Sequence, residues 1–218
     1  MIRTVSIVPT ILSDNKQDFR AQAERINSFT RRVQIDVTDG EFAPSQTLDI
    51  TNIWWPRTWE TDLHLMVARP SEHIDTILKL SPSLCIFHAE ASEDLLPIFA
   101  QLKEAGIKTG VALLPGTYPG NVKHYIDAAD HVLIFAGALG RQGGGADLMQ
   151  TEKIPLIRNM KPEVEIGWDG GANMSNIRAL AHVDLDVINV GSALSSAEDP
   201  AAAFDALVAE IDKNGVVV

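Results

Sequence analysis

Three short stretches hold residue types that could move a proton beside a carbonyl. Val33-Gln34-Ile35-Asp36-Val37-Thr38-Asp39-Gly40 is an apolar strand pattern that stops at two carboxylates and a glycine. Glu165-Ile166-Gly167-Trp168-Asp169-Gly170-Gly171 stops the same way, and Asp62-Leu63-His64-Leu65-Met66 sets a histidine inside another strand pattern. A carbon next to a ketone is a weak acid. Removing its proton needs a base, returning it needs an acid, and the enolate between needs electrophilic support. Asp36 and Asp169 suit the two proton-transfer roles. With His64 they form an N/O set suited to zinc, iron or manganese. Asp39 reads instead as a carboxylate capping its own loop.

Separate strands must bring these groups to one place. Strand patterns fall at Ser6–Pro9, Val33–Asp36, Asp62–Met66, Leu84–His88, Thr109–Leu113, His131–Phe135, Glu165–Trp168 and Val187–Val190. They lack clean alternation, as expected of strands covered on both faces. Helical patterns lie between them. Phe19, Ala23 and Ile26 share one face; Pro70 opens a helix with Ile74, Ile77 and Leu78 inward. Ser92 is the expected N-cap before Leu95, Ile98, Phe99 and Leu102, with Gly106 closing that helix. Asp199-Pro200 starts the last, with Phe204, Leu207, Val208 and Ile211 on one stripe and Gly215 at its end. Further helices fit 121–127, 151–159 and 175–181. Eight units at roughly 27 residues each predict a (β/α)8 barrel. A doubly wound sheet is the alternative, but no Gly-x-Gly-x-x-Gly follows the first strand. No linker divides the chain, so residues 1–218 are expected to form one domain.

In such a barrel the chemistry gathers at the C-terminal ends of the strands. Those ends read Thr10, Asp36 with Asp39, His64, His88 with Glu90, a Leu114-Pro115-Gly116 turn, a glycine-rich loop, Asp169 with Gly170 and Gly171, and Gly191-Ser192. Asp36 and Asp169, on strands two and seven, are expected to flank a substrate lying across the mouth. Gly140-Arg141-Gln142-Gly143-Gly144-Gly145, Gly170-Gly171 and Gly191-Ser192 could hold phosphate through backbone N–H groups. His88 and Glu90 read as groups that order the mouth. His73, His124, His131 and His182 are expected on helix surfaces or loops, without a role.

The bulk of the chain narrows the partners. A net charge of −11 opposes binding to nucleic acid or an anionic membrane. The one cysteine, Cys85, lies in an apolar run and reads as packing; it leaves no intrachain disulfide and no cysteine-based zinc cluster. The N-terminus lacks the apolar core of a signal peptide, and no run of 18 apolar residues occurs, so a soluble cytoplasmic protein is expected. Trp54, Trp55 and Trp59 with Pro44 and Pro56 read as packing over the outside of the barrel, or as a subunit interface.

At these residues the chain resembles the ribulose-phosphate 3-epimerase family. The likeness runs through Pro9-Thr10-Ile11-Leu12-Ser13, Val33–Gly40, Asp62–Val67, Phe87-His88-Ala89-Glu90-Ala91, Gly110–Pro115, Trp168–Asn173 and Gly191-Ser192-Ala193. It implies a TIM barrel of the ribulose-phosphate-binding type. It further implies an enzyme that inverts the carbon next to the ketone of a small phosphorylated sugar, with a divalent metal (zinc, iron, manganese or cobalt). Asp36 matches the family's proton acceptor and Asp169 its proton donor. Both match metal ligands, as does His64. Thr10 stands where a serine helps hold substrate, and Gly171 and Gly191-Ser192 match phosphate contacts. Gly140, Gly143 and Gly144 fall in the family's lid, and a homo-oligomer is expected.

The chain also departs from the family. Gln34 stands where a fourth metal ligand is histidine, and an amide oxygen is the poorer ligand for a borderline metal. Arg141 and Gln142 replace an aromatic and a small residue of the lid. Thr38 replaces a methionine, and Leu114 an asparagine. A decarboxylase-type relative would carry Asp-x-Lys after strand two, where this chain has Asp36-Val37-Thr38. Two other readings stand beside the metal-assisted epimerase: a sugar-phosphate binding protein with lost or altered catalysis, and an isomerase using the same aspartates without the ion.

Overall fold

Apolar runs too short for helices become strands here because both of their faces are covered. The computed structural model describes residues 5–213. Its strands are β1 (Ser6–Ile11), β2 (Arg32–Thr38), β3 (Glu60–Met66), β4 (Leu84–His88), β5 (Lys108–Leu113), β6 (His131–Phe135), β7 (Glu165–Asp169) and β8 (Val187–Val190). They pair in sequence order, all parallel, and β8 closes on β1. Each predicted strand is present; β4, β6 and β8 keep their expected bounds and the others are longer by one to three residues. The helices are α1 (Lys16–Ile26), α2 (Ile74–Leu80), α3 (Leu95–Glu104), α4 (Lys123–Ala128), α5 (Lys153–Met160), α6 (Ile177–Ala181), α7 (Ser192–Ser195) and α8 (Pro200–Ile211).

The helix signals mostly hold. Phe19, Ala23 and Ile26 form the buried stripe of α1. The Asp199 side chain accepts from Ala201 and Ala202 N–H, with Pro200 in the first turn of α8. The expected cap at Ser92 is two residues early. Asp94 caps α3 by accepting from Leu96 N–H, while Ser92 N–H goes to the Ala68 carbonyl. Of the expected α8 stripe, Leu207 is buried but Val208 is exposed. Gly215 lies outside the described residues. Among the described residues no helix is long and apolar enough to cross a membrane.

The main core lies between the strands' outer faces and the helices, and Cys85 packs in it. Inside the barrel the side chains stack in layers. At the N-terminal end, Arg32 binds Asp62 at 2.8 Å and Glu165 through both terminal nitrogens at 2.8 and 2.7 Å, and His131 Nδ1 meets Glu165 at 2.7 Å. His131 is therefore buried in an ion network, not idle on a surface as its sequence context suggested. Leu84, Ile86, Ala112 and Leu133 form an apolar plug. Above it, Gln34, His64 and His88 are buried polar groups. Trp59 is buried and donates to Asn27 Oδ1 at 3.0 Å, and Trp54 lies edge-on to Phe19 with its other face exposed. Trp59 and one face of Trp54 thus pack over the outside of the barrel.

Candidate active site

Parallel register brings the chemistry-bearing residues together. Asp36 on β2 pairs with His64 on β3, and Asp169 on β7 pairs with Asn189 on β8. Gln34 precedes Asp36 by two residues, so both side chains point into the barrel. Strands two and seven are three steps apart around the closed sheet. Asp36, Asp169 and His64 each present a ligand atom, and these atoms all lie within 4.8 Å of one another.

The contacts among them are specific. His64 Nδ1 is 3.0 Å from Asp36 Oδ1 and 3.4 Å from Asp169 Oδ2. Gln34 Nε2 donates to Asp36 Oδ1 at 2.9 Å and to Asp169 Oδ2 at 2.7 Å. On its far side, His64 Nε2 is 2.9 Å from His88 Nε2, and His88 Nδ1 is 3.5 Å from Glu90 Oε2. Glu90 in turn accepts from Leu114 N–H at 3.0 Å and from the Thr117 hydroxyl. Lys153 donates to the carbonyls of Leu114 and Pro115 at 2.6 and 3.2 Å, ordering the turn after β5.

Burial and these bonds set the ionisation. Burial pushes the Asp36 carboxyl up, to about 6; the bond to His64 opposes this and the charge of Asp169 adds to it. Burial alone would lower His64, but its hydrogen bonds to Asp169 and Asp36 outweigh it and raise the imidazole to about 9. Burial lowers His88 to about 4 despite Glu90. At neutral pH His64 therefore carries a proton on each nitrogen and donates to Asp36 and to His88. His88 must then accept at Nε2 and keep its own proton at Nδ1, facing Glu90. Asp39 caps its loop as expected: its oxygens accept from Glu41, Phe42 and Ala68 N–H at 2.8, 2.8 and 2.7 Å.

A cleft opens above the aspartates. Thr10, Asp36, Gly140, Gly143, Asp169, Gly170, Gly171, Gly191 and Ser192 all line it. His64 does not: it is fully buried beneath Asp36, so it touches the carboxylates and not the cleft. Gly144 also stays outside the lining. Gly171 has φ +67°, and a Cβ there would meet Ala146 N at 2.4 Å, so the lid backbone rests on this glycine. Ser45 Oγ ties the lid's other end by donating to the Gly140 carbonyl at 2.5 Å. Met66, Phe135 and Asn189 line the cleft but went unnoticed in the sequence. A buried amide within Val187-Ile188-Asn189-Val190 was the available signal. Gln142 enters from the lid. Its Nε2 donates to the Thr10 carbonyl at 3.3 Å, and Ser195 Oγ donates to its Oε1 at 3.1 Å.

Two carboxylates and an imidazole in this geometry fit a divalent cation once His64 gives up its Nδ1 proton. Gln34 does not complete the set as it stands. Carboxylates only accept, so the amide must turn Nε2 toward them, and Oε1 is left buried without a partner. The residues that could hold a cation here are thus Asp36, His64 and Asp169.

Comparison with known proteins agrees with this architecture. A cytoplasmic isoform of ribulose-phosphate 3-epimerase from Oryza sativa subsp. japonica is 30% identical over 209 residues, covering 92% of each chain. The ribulose-phosphate 3-epimerase of Schizosaccharomyces pombe is 28% identical, over 89% of this chain and 88% of that protein. Two solved structures share the fold. 3-Hexulose-6-phosphate synthase from Salmonella typhimurium has TM-score 0.69 at 15% identity, over 95% of this chain and 98% of that one. Tryptophan synthase of Mycobacterium tuberculosis has TM-score 0.72 at 13% identity, over 97% and 94%. The model of the ribulose-phosphate 3 epimerase family matches residues 6–195, from the start of β1 to the end of α7. That span encloses every strand carrying a residue of the cleft, and the chain belongs to the ribulose-phosphate 3-epimerase family.

Proposed function

We propose that the protein inverts the carbon next to the ketone of a phosphorylated ketose, a pentulose phosphate first among them. One observation carries this reading: Asp36 and Asp169 reach the same cleft from different strands, with ligand atoms within 4.8 Å. Asp36, raised to about 6 by burial, is largely ionised at neutral pH yet basic enough to take a carbon-bound proton. Asp169 returns a proton on the opposite face, and the roles exchange in the reverse direction. A divalent cation held by Asp36, His64 and Asp169 would stabilise the negative charge that builds on the ketone oxygen. His64 orients Asp36, while His88 and Glu90 hold the imidazole in place. Gly171, Gly191 and Ser192 border the end of the cleft suited to the phosphate, and Thr10 lies on the substrate's path.

The test is deuterium exchange from solvent into ribulose 5-phosphate and related ketose phosphates, followed by NMR with metal-replete protein. Incorporation is expected at the carbon beside the ketone, and it should fall about 10²–10⁴-fold in Asp36→Asn and Asp169→Asn. No incorporation with any of these sugars removes the reading. One observation favours a second reading, sugar-phosphate binding without turnover: the Gln142 side chain lies against Gly191, in the space a phosphate would enter. Saturable binding with no exchange would decide for it.

A further inference from the structure

We propose that Gln34 is a positioning residue whose amide clamps Asp36 to Asp169 and thereby competes with a divalent cation for the same two carboxylates. The inference rests on the reading of Asp36 and Asp169 as the acid–base pair. Gln34 is fully buried on β2, below the cleft. Both hydrogens of its Nε2 are committed, one to Asp36 Oδ1 at 2.9 Å and one to Asp169 Oδ2 at 2.7 Å. These are bonds to charged acceptors, the stronger class of neutral-donor bond. The cost is visible at the other end of the amide, where Oε1 is buried with no donor. A buried carboxamide accepts that loss only if the opposite orientation is worse. Turned over, Oε1 would face two carboxylates, oxygen against oxygen.

A cation held by Asp36, His64 and Asp169 would draw on the same two carboxylates. His64 Nδ1 also meets them, at 3.0 and 3.4 Å, so cation and amide address one set of acceptors. Bringing in the cation breaks two hydrogen bonds that hold the pair at its working separation. The clamp therefore weakens cation binding and, with the cation away, keeps the carboxylates aimed at one substrate carbon. A residue that merely supplied a fourth ligand would have the opposite effect on affinity. The sign of one substitution separates the two.

The experiment measures zinc affinity by competition with a chelator for wild type, Gln34→Leu and Gln34→His. Leucine offers no ligand atom and no N–H. Competition predicts that Gln34→Leu binds zinc about tenfold tighter than wild type, and Gln34→His tighter still. Weaker or equal binding by Gln34→Leu, or no binding by any of the three, overturns the proposal. A wild-type measurement covers the case in which leucine prevents folding. In the chelated protein the Gln34 side-chain NH2 should exchange slowly with solvent, and saturating zinc should abolish that protection. An unprotected NH2 under chelation, protection that persists with zinc bound, or a wild type that takes up no zinc overturns it equally. These readouts need no substrate, so they stand or fall apart from the epimerase reading.

Discussion

Replacing His88 by phenylalanine isolates the bond that holds His64 in place. His88 is fully buried, with its ring 4.9 Å from that of Phe42 and 5.6 Å from that of Phe135, centroid to centroid. Phenylalanine keeps the ring in this aromatic pocket but cannot accept from His64 Nε2, now 2.9 Å away. A buried donor left without its acceptor costs about 1–3 kcal/mol. With an unfolding entropy of ~2.1 cal/mol/K per residue, 218 residues give ~0.46 kcal/mol/K, so the melting temperature should fall by about 2–7 °C. His88→Gln offers an amide oxygen to the same donor and should recover most of the loss. Loss of this outer partner should also weaken metal binding by about 10–100-fold, because the free imidazole is no longer aimed. Calorimetric melts of chelated protein and zinc titrations read both effects. A His88→Phe protein melting within about 1 °C of wild type, or a glutamine variant no better than phenylalanine, would refute the reasoning.

Other outcomes follow from the same geometry. Asp36 must be ionised to act as base, so in an NMR titration of the chelated protein its carboxyl should take up a proton as pH drops through about 6; uptake near the ordinary aspartate value instead would mean that burial is not tuning it. Glu165 is pulled below its ordinary value of 4.5, because its bonds to Arg32 and His131 outweigh burial. A carboxyl depressed in the fold adds stability above its unfolded pKa and loses it as pH falls below that value. Melts below pH 4.5 should therefore drop more steeply for wild type than for Glu165→Gln. Gly171→Ala places a methyl 2.4 Å from Ala146 N in a left-handed conformation, so the lid backbone must move. KM for a phosphorylated sugar should rise about tenfold with kcat less affected, and an unchanged KM would free the lid from this role.

Much of this protein is written in its apolar runs. Runs of four to seven residues covered on both faces can only be interior strands, and eight of them alternating with helical stripes close most economically as a barrel. The carboxylates at the ends of β2 and β7 are therefore legible in the sequence as neighbours of one mouth, as is the capping role of Asp39. Local signals were less secure where two residues could do one job, as when Asp94 and not Ser92 caps α3. The direction of the Gln34 amide, the His64–His88–Glu90 chain and the burial of His131 beside Arg32 and Glu165 could not be read this way. Each depends on atoms from strands far apart in the chain meeting only after β8 closes on β1. Hydrophobic periodicity is a property of neighbours along the sequence; a hydrogen bond's donor and acceptor are chosen by whatever stands opposite in space. The barrel and its two acids belong to the first kind of information, and the state of the groups between those acids to the second.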